Sequence, residues 1–144
     1  MEVFQQEKFA RICRQFKWKC TPQRLAVYES VFHNRCHPDV DSVWAAVRTK
    51  LPTMTRESVY RILNEFAARN IIWRLDHVSS ARYDSNIHPH GHFICECCGS
   101  IADFDPAADI GLFAGRVCGE VRHMEIRCTG LCEKCRAKEL STVE

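Results

Sequence analysis

The sequence predicts an α+β fold in two parts, a winged helix-turn-helix over residues 1–84 and a smaller metal-binding unit over 85–144. Three observations carry this expectation. Four amphipathic helical patterns followed by two short β-rich runs fill the first part, and that order is the winged version of the helix-turn-helix layout. Two Cys-x-x-Cys pairs and a His-x-His pair crowd the second part. Charge divides at nearly the same place: residues 1–82 hold 14 Lys/Arg against 8 Asp/Glu, and residues 83–144 hold 6 against 10. A basic half beside an acidic, ligand-rich half suits a nucleic-acid module joined to a metal module.

The first helix is expected over residues 5–17, where Phe9, Ile12, Cys13 and Phe16 recur at i, i+3, i+4 and i+7. Cys13 reads as a small core residue. Thr21-Pro22 supplies an N-cap and a first helical residue, so a second helix should run to about His33 with Leu25, Tyr28, Val31 and Phe32 inward. After the break at 33–38, Asp39 or Asp41 can cap a third helix with Val43, Trp44, Val47 and Leu51 inward, ended by Pro52. Thr55 can cap a fourth helix, with Glu57 in its first turn and Val59, Ile62, Leu63 and Phe66 as its buried stripe. Residues 71–75 and 81–84 then read as a two-stranded hairpin around a turn at 76–80.

In the second part, residues 92–95 and 101–104 read as strands around a Cys-x-x-Cys-Gly turn. Asp105-Pro106 should open a helix to about Cys118. A strand over 121–128 and a polar, frayed tail from about Ala137 complete the expectation. No apolar run approaches the roughly 20 residues that span a bilayer. The N-terminal stretch is mixed and charged, unlike a secretory signal. A cytoplasmic location follows, where thiols stay reduced. The 10 cysteines therefore point to metal binding before disulfides. No nucleophile–base arrangement and no Gly-rich cofactor loop suggests an enzyme.

Three constellations carry chemistry. Cys95, Cys98, Cys132 and Cys135 have the spacing of two chelating knuckles, with Gly99 and Gly130 nearby. Four thiolates close a tetrahedral shell, which suits a structural Zn(II) with no open position. Cys97 lies between two of these ligands, with its side chain expected to point away. His90 and His92 are two apart, so on a strand they face the same way. With carboxylates they make a site for Fe(II), Mn(II), Zn(II), Co(II) or Ni(II). Asp84 and Asp103 flank them, and His37, fixed beside Pro38, is a candidate from the first part. His33, His77 and His123 read as ordinary imidazoles. Finally, the fourth helix presents Arg56, Ser58, Tyr60 and Arg61 opposite its apolar stripe. Guanidinium and aromatic groups there can meet phosphates and base edges. Lys17, Lys19, Gln23 and Arg24, with Arg74 and Arg82 of the hairpin, are expected to meet phosphates. One such module makes few contacts, so a dimer on a two-fold operator in double-stranded DNA is expected.

Together these residues resemble the ferric uptake regulator family of bacterial metal-dependent repressors, over residues 8 to 137. The resemblance rests on Thr21-Pro22-Gln23-Arg24, on Ser58-Val59-Tyr60-Arg61-Ile62-Leu63, on the run from His90 to Gly99, and on Gly130-Leu131-Cys132-Glu133-Lys134-Cys135. It implies a C-terminal α/β dimerisation domain, a homodimer, one structural Zn(II) per chain and one regulatory metal, Fe(II) or Mn(II), per chain. The regulatory ligands it implies are His37, Asp84, His90, His92 and Asp103. Asp at 103, where iron-sensing members usually carry Glu, resembles the peroxide-sensing branch. In that branch hydrogen peroxide reacts with the Fe(II), oxygen is added to ligand histidines (here His37 and His90), and DNA is released. Mn(II) supports DNA binding without the oxidation. Pro89 and Gly91 stand where iron sensors place further ligands, which speaks against a second N/O site. An iron- or zinc-responsive repressor without peroxide sensing is the alternative. Cys36 beside His37, like Cys97, is a departure that would add thiol redox chemistry.

Overall fold

The computed structural model describes residues 2–34, 36–76, 80–106, 115–121 and 124–141. The chain divides into two compact units, Met1–Ile87 and His88–Glu144, so the division falls after Ile87 instead of after Asp84.

The first unit begins with α1, Glu2–Gln15, which buries Phe9 and Cys13. It ends at Lys17, whose φ of 54° turns the chain into the left-handed region. The Trp18 N–H then donates to the Cys13 carbonyl at 2.8 Å, satisfying an end-of-helix acceptor. Thr21 caps α2, Pro22–His33, its hydroxyl accepting from the Arg24 N–H at 3.3 Å. Burial on α2 covers Ala26 to Glu29 and Val31, wider than one stripe, while Leu25 and Phe32 are half-buried. Asp39, not Asp41, caps α3, Val40–Arg48, by accepting from the Ser42 N–H at 2.8 Å. Thr55 caps α4, Arg56–Ala68, which buries Val59, Ile62, Leu63 and Phe66.

The hairpin is shorter than the sequence predicts: β1 is Trp73–Leu75 and β2 is Arg82–Asp84, antiparallel with Trp73 opposite Asp84. Ile71 is lost to the strand because its N–H closes the end of α4 on the Phe66 carbonyl at 3.0 Å. Ile71 and Ile72 still enter the core as buried side chains. At the centre of that core the rings of Phe9, Tyr28 and Phe66 lie 5.0 to 6.3 Å apart. Each fully buried ring of this size stabilises the fold by about 2–3 kcal/mol.

The second unit is a three-stranded sheet of β3 (Gly91–Cys95), β4 (Ile101–Phe104) and β5 (Ile126–Gly130), in the order β4-β3-β5. β4 is antiparallel to β3 and β5 is parallel to it. α5, Glu133–Ser141, follows. Three sequence expectations change here. Of the helix expected over 105–118, residues 107–114 lie outside the described residues. Residues 115–118 are turn and bend, not helix, with the Gly119 N–H bonded to the Val117 carbonyl at 3.0 Å. The strand expected at 121–128 is shifted, because its register against β3 runs Gly91 to Ile126 through Cys95 to Gly130. Residues 122–123 lie outside the described residues. The tail does not fray at Ala137: the helix that carries Cys135 continues through it to Ser141. Residues 77–79 of the hairpin turn, with His77, and His123 also lie outside the described residues.

Candidate metal centres and nucleic-acid interface

The thiolate cluster is built by the end of β3 and the start of α5. The Cys95 N–H donates to the Ser100 carbonyl and the Gly99 N–H to the Cys95 carbonyl, both at 2.9 Å, which closes the first knuckle. Gly99 sits at φ 68°, where a side chain would be strained. Among the described residues, Cys95, Cys98, Cys132 and Cys135 place their sulfurs within 4.8 Å of one another. Cys98 Sγ and Cys132 Sγ are 3.8 Å apart. That matches the edge of a tetrahedron with Zn–S bonds of about 2.3 Å.

The electrostatics of the cluster ask for a cation. The backbone N–H of Cys132, 3.3 Å from Cys95 Sγ, and that of Cys98 pull the Cys95 thiol down to about 6. The Ser100 hydroxyl lowers Cys98. Cys135 is pushed up, first by its hydrogen bond with the Cys132 thiol and then by Cys97. So the first thiolates form readily and the last does not. A dication bound by all four sulfurs would replace those shared hydrogen bonds with metal–sulfur bonds, and the donor set fits zinc. Cys97 is exposed and stands outside the four, but its side chain hydrogen-bonds Cys135 where the sequence predicts that it points away.

The nitrogen and oxygen donors form one group in each unit. In the first unit His37 Nε2 and Asp84 Oδ2 are 3.8 Å apart, both side chains buried. Three contacts set this pair. Asp39 bridges to Arg82, the Tyr83 N–H donates to the Pro38 carbonyl at 3.0 Å, and Arg82 Nη1 donates to the His37 carbonyl at 3.1 Å. His37 is held at φ 51°, an uncommon backbone state for a residue other than glycine, which is typical of functional positions.

In the second unit His92 on β3 lies opposite Asp103 on β4. His90 and His92 bring their Nε2 atoms to 3.0 Å, and Asp103 Oδ1 lies 3.6 Å from each. His90 Nδ1 is 2.7 Å from the His88 carbonyl. A proton on Nδ1 makes that bond and leaves the lone pair on Nε2, facing His92 and Asp103. Two imidazole nitrogens and a carboxylate so close suit a first-row dication. Gly91 between the histidines has no room for a side chain, since a β-carbon there would run into the Phe104 ring. His88 is exposed and contributes its carbonyl, not its ring, to this arrangement.

The candidate DNA face belongs to the first unit. A cavity of about 440 Å³ lies where the starts of α2 and α4 meet, lined by Thr21, Gln23, Arg24, Ser58 and Arg61 among others. Arg56 and Tyr60 are exposed on α4 outside that lining. The basic groups are not idle. Arg56 is bidentate on Asp41, at 2.6 and 3.1 Å. Arg24 and Arg61 share Glu65, each at 2.9 Å. Arg74 bonds Asn64 and Asp76, and Tyr60 is lowered by hydrogen bonds from Asn64 and then Arg74. Arg82, expected at a phosphate, donates to the His37 carbonyl.

The ferric uptake regulator family model matches residues 15–126. The chain belongs to the ferric uptake regulator family. The peroxide operon regulator of Bacillus subtilis (strain 168) is 34% identical over 125 residues, covering 84% of this chain and 86% of that one. The peroxide-responsive repressor PerR of Staphylococcus epidermidis is 34% identical over 122 residues, covering 82% and 81%. Among solved structures, the ferric uptake regulator of Francisella tularensis with iron superposes with a TM-score of 0.71 at 26% identity, over 84% of this chain and 96% of that one. A ferric uptake regulator fold with a winged helix and a thiolate cluster is thus what this chain adopts, and its relatives are regulators, not enzymes.

Glu65 is the polar residue of this face that the sequence does not single out. Glu65 lies four residues after Arg61, the helix spacing at which opposite charges meet, so that half of its role was legible. Its second partner, Arg24, is 41 residues away and has no local signature. No helix among the described residues is long and apolar enough to cross a membrane.

Proposed function

We propose that this chain is a metal-dependent DNA-binding repressor that senses hydrogen peroxide and then releases its operator. In this reading Cys95, Cys98, Cys132 and Cys135 hold one structural Zn(II) per chain. His37 and Asp84 of the first unit join His90, His92 and Asp103 of the second around one regulatory Fe(II) or Mn(II). The grouping of His90, His92 and Asp103 around one point carries the reading, because two imidazole nitrogens and a carboxylate at these distances make a donor set for a first-row dication. Two further facts support it. Asp84 of the first group and His90 of the second are six residues apart in the chain, so a short tether joins the two donor groups. The relatives of highest identity named above are peroxide regulators.

Fe(II) held there would mediate the transfer of one peroxide oxygen to an imidazole, the other oxygen leaving as water. His37 and His90 are the imidazoles assigned to take up the oxygen. Oxidation of either weakens its Nε2 as a donor, and the tie between the two units is lost. Losing that tie shifts the protein toward a state that no longer grips DNA. On the DNA side, Gln23, Arg24, Ser58 and Arg61 meet the backbone, and Arg56 and Tyr60 meet base edges. Binding is by a homodimer on a site of two-fold symmetry.

Fluorescence anisotropy with an operator selected from a random pool tests this. Protein loaded with Fe(II) or with Mn(II) binds the duplex, and a low dose of peroxide abolishes binding only in the Fe(II) form. If both forms survive peroxide, the iron- or zinc-responsive reading replaces this one.

A further inference from the structure

The carboxylate of Glu65 sits between two guanidiniums drawn from different helices. Its Oε2 accepts from Arg24 Nη2 and its Oε1 from Arg61 Nη1, each at 2.9 Å. Arg24 is further fixed by Nη1 on the Lys19 carbonyl at 3.2 Å and by its stacking 4.9 Å over the Trp18 ring. Both arginines line the cavity shared with Thr21, Gln23 and Ser58. One anionic group accepting from two guanidiniums at once is the pattern a nucleic-acid phosphate would present to the same side chains.

We propose that Glu65 is an internal stand-in for a DNA phosphate. It pre-positions Arg24 and Arg61 and makes duplex binding an exchange, in which each guanidinium leaves a carboxylate oxygen for a phosphate oxygen. The consequence is selectivity. Phosphate contacts supply nearly all sequence-independent affinity, while base-edge contacts discriminate. A carboxylate that competes with phosphate therefore penalises random duplex more than operator, whose base contacts it does not touch. The inference rests on the DNA-binding reading above and assigns a regulator of that same face.

The test uses the full chain loaded with zinc and Mn(II), a random-sequence duplex and a duplex selected by the wild type, titrated over a salt series. Glu65→Gln raises affinity for the random duplex by about tenfold and steepens its log–log salt slope by about one. The selected-to-random affinity ratio falls. Glu65→Asp, which keeps the charge, recovers most of the selectivity. Glu7→Gln, an equal charge change at an exposed site on α1, moves the ratio by less than about twofold, as long-range charge alone predicts. An unchanged ratio and slope in Glu65→Gln, or weaker binding to the random duplex, overturns the inference. Wild-type protein that binds neither duplex in a salt-dependent way overturns the DNA-binding reading itself.

Discussion

The two units are held together by different physics. In the first, a continuous apolar core runs from Phe9 through Tyr28 and Val31 to Phe66, Ile72 and Tyr83. In the second, the described buried apolar residues are Ile94, Cys95 and Cys135, and two of those three belong to the thiolate cluster. Among the described residues this unit buries few apolar side chains, and a chelated ion is a common support for a small unit of that kind. The first unit can thus present a stiff surface to DNA, while the second depends on its metal chemistry.

Removing zinc should break this contrast most sharply. Structural zinc is worth about 10–16 kcal/mol in small metal-held peptides. Chelation, or Cys95→Ser, should melt the β3–β5 sheet while leaving the first unit folded. All three tryptophans, Trp18, Trp44 and Trp73, lie in the first unit. Their fluorescence should therefore hold while strand circular dichroism is lost. Loss of both signals together would show that the first unit needs the second.

A smaller effect comes from the opposite side. Phe66→Ala empties the aromatic centre of the first core and should cost about 3–5 kcal/mol, read by urea unfolding of the tryptophan signal. Zinc content should be unchanged. A cost below 1 kcal/mol, on the order of a surface change, would mean that the core is not the main support of this unit.

Much of the first unit was legible because its signals are local. Thr21, Thr55 and the apolar stripe of α4 each act within one helical turn. The end of α1 was not legible, since Lys17 adopts a left-handed φ that sequence rules assign to glycine or asparagine. The hairpin was overextended for a similar reason, as Ile71 serves the helix end before it. In the second unit the Cys-x-x-Cys spacing was readable as a chelate. The placement of Asp103 opposite His92 was not, because a strand register across a knuckle depends on the turn between. The bond from Arg82 to the His37 carbonyl was not legible, because its partner is 45 residues away.

The smallest expected effect concerns the cap of α3, next to His37. The Asp39 carboxyl is held below its ordinary 3.8, mainly by the Ser42 hydroxyl. A depressed carboxylate stabilises the fold above its unfolded value and loses that contribution as pH falls through the folded one. Asp39→Ala should therefore cost about 1 kcal/mol at neutral pH and less at pH values below the ordinary carboxylate range. Equal costs at both pH values, in paired urea titrations, would show that the side chain acts by packing and not as an anionic cap.

In the proposed function one regulatory ion directs peroxide to particular imidazoles. Peptide mass mapping after a brief peroxide pulse tests it most directly. With Fe(II) loaded, the mass of one oxygen should appear on His37 or His90, with His33 and His88 untouched, and with Mn(II) loaded on none of them. Oxygen spread evenly over all histidines, or modification confined to Cys36 and Cys97, would contradict the account.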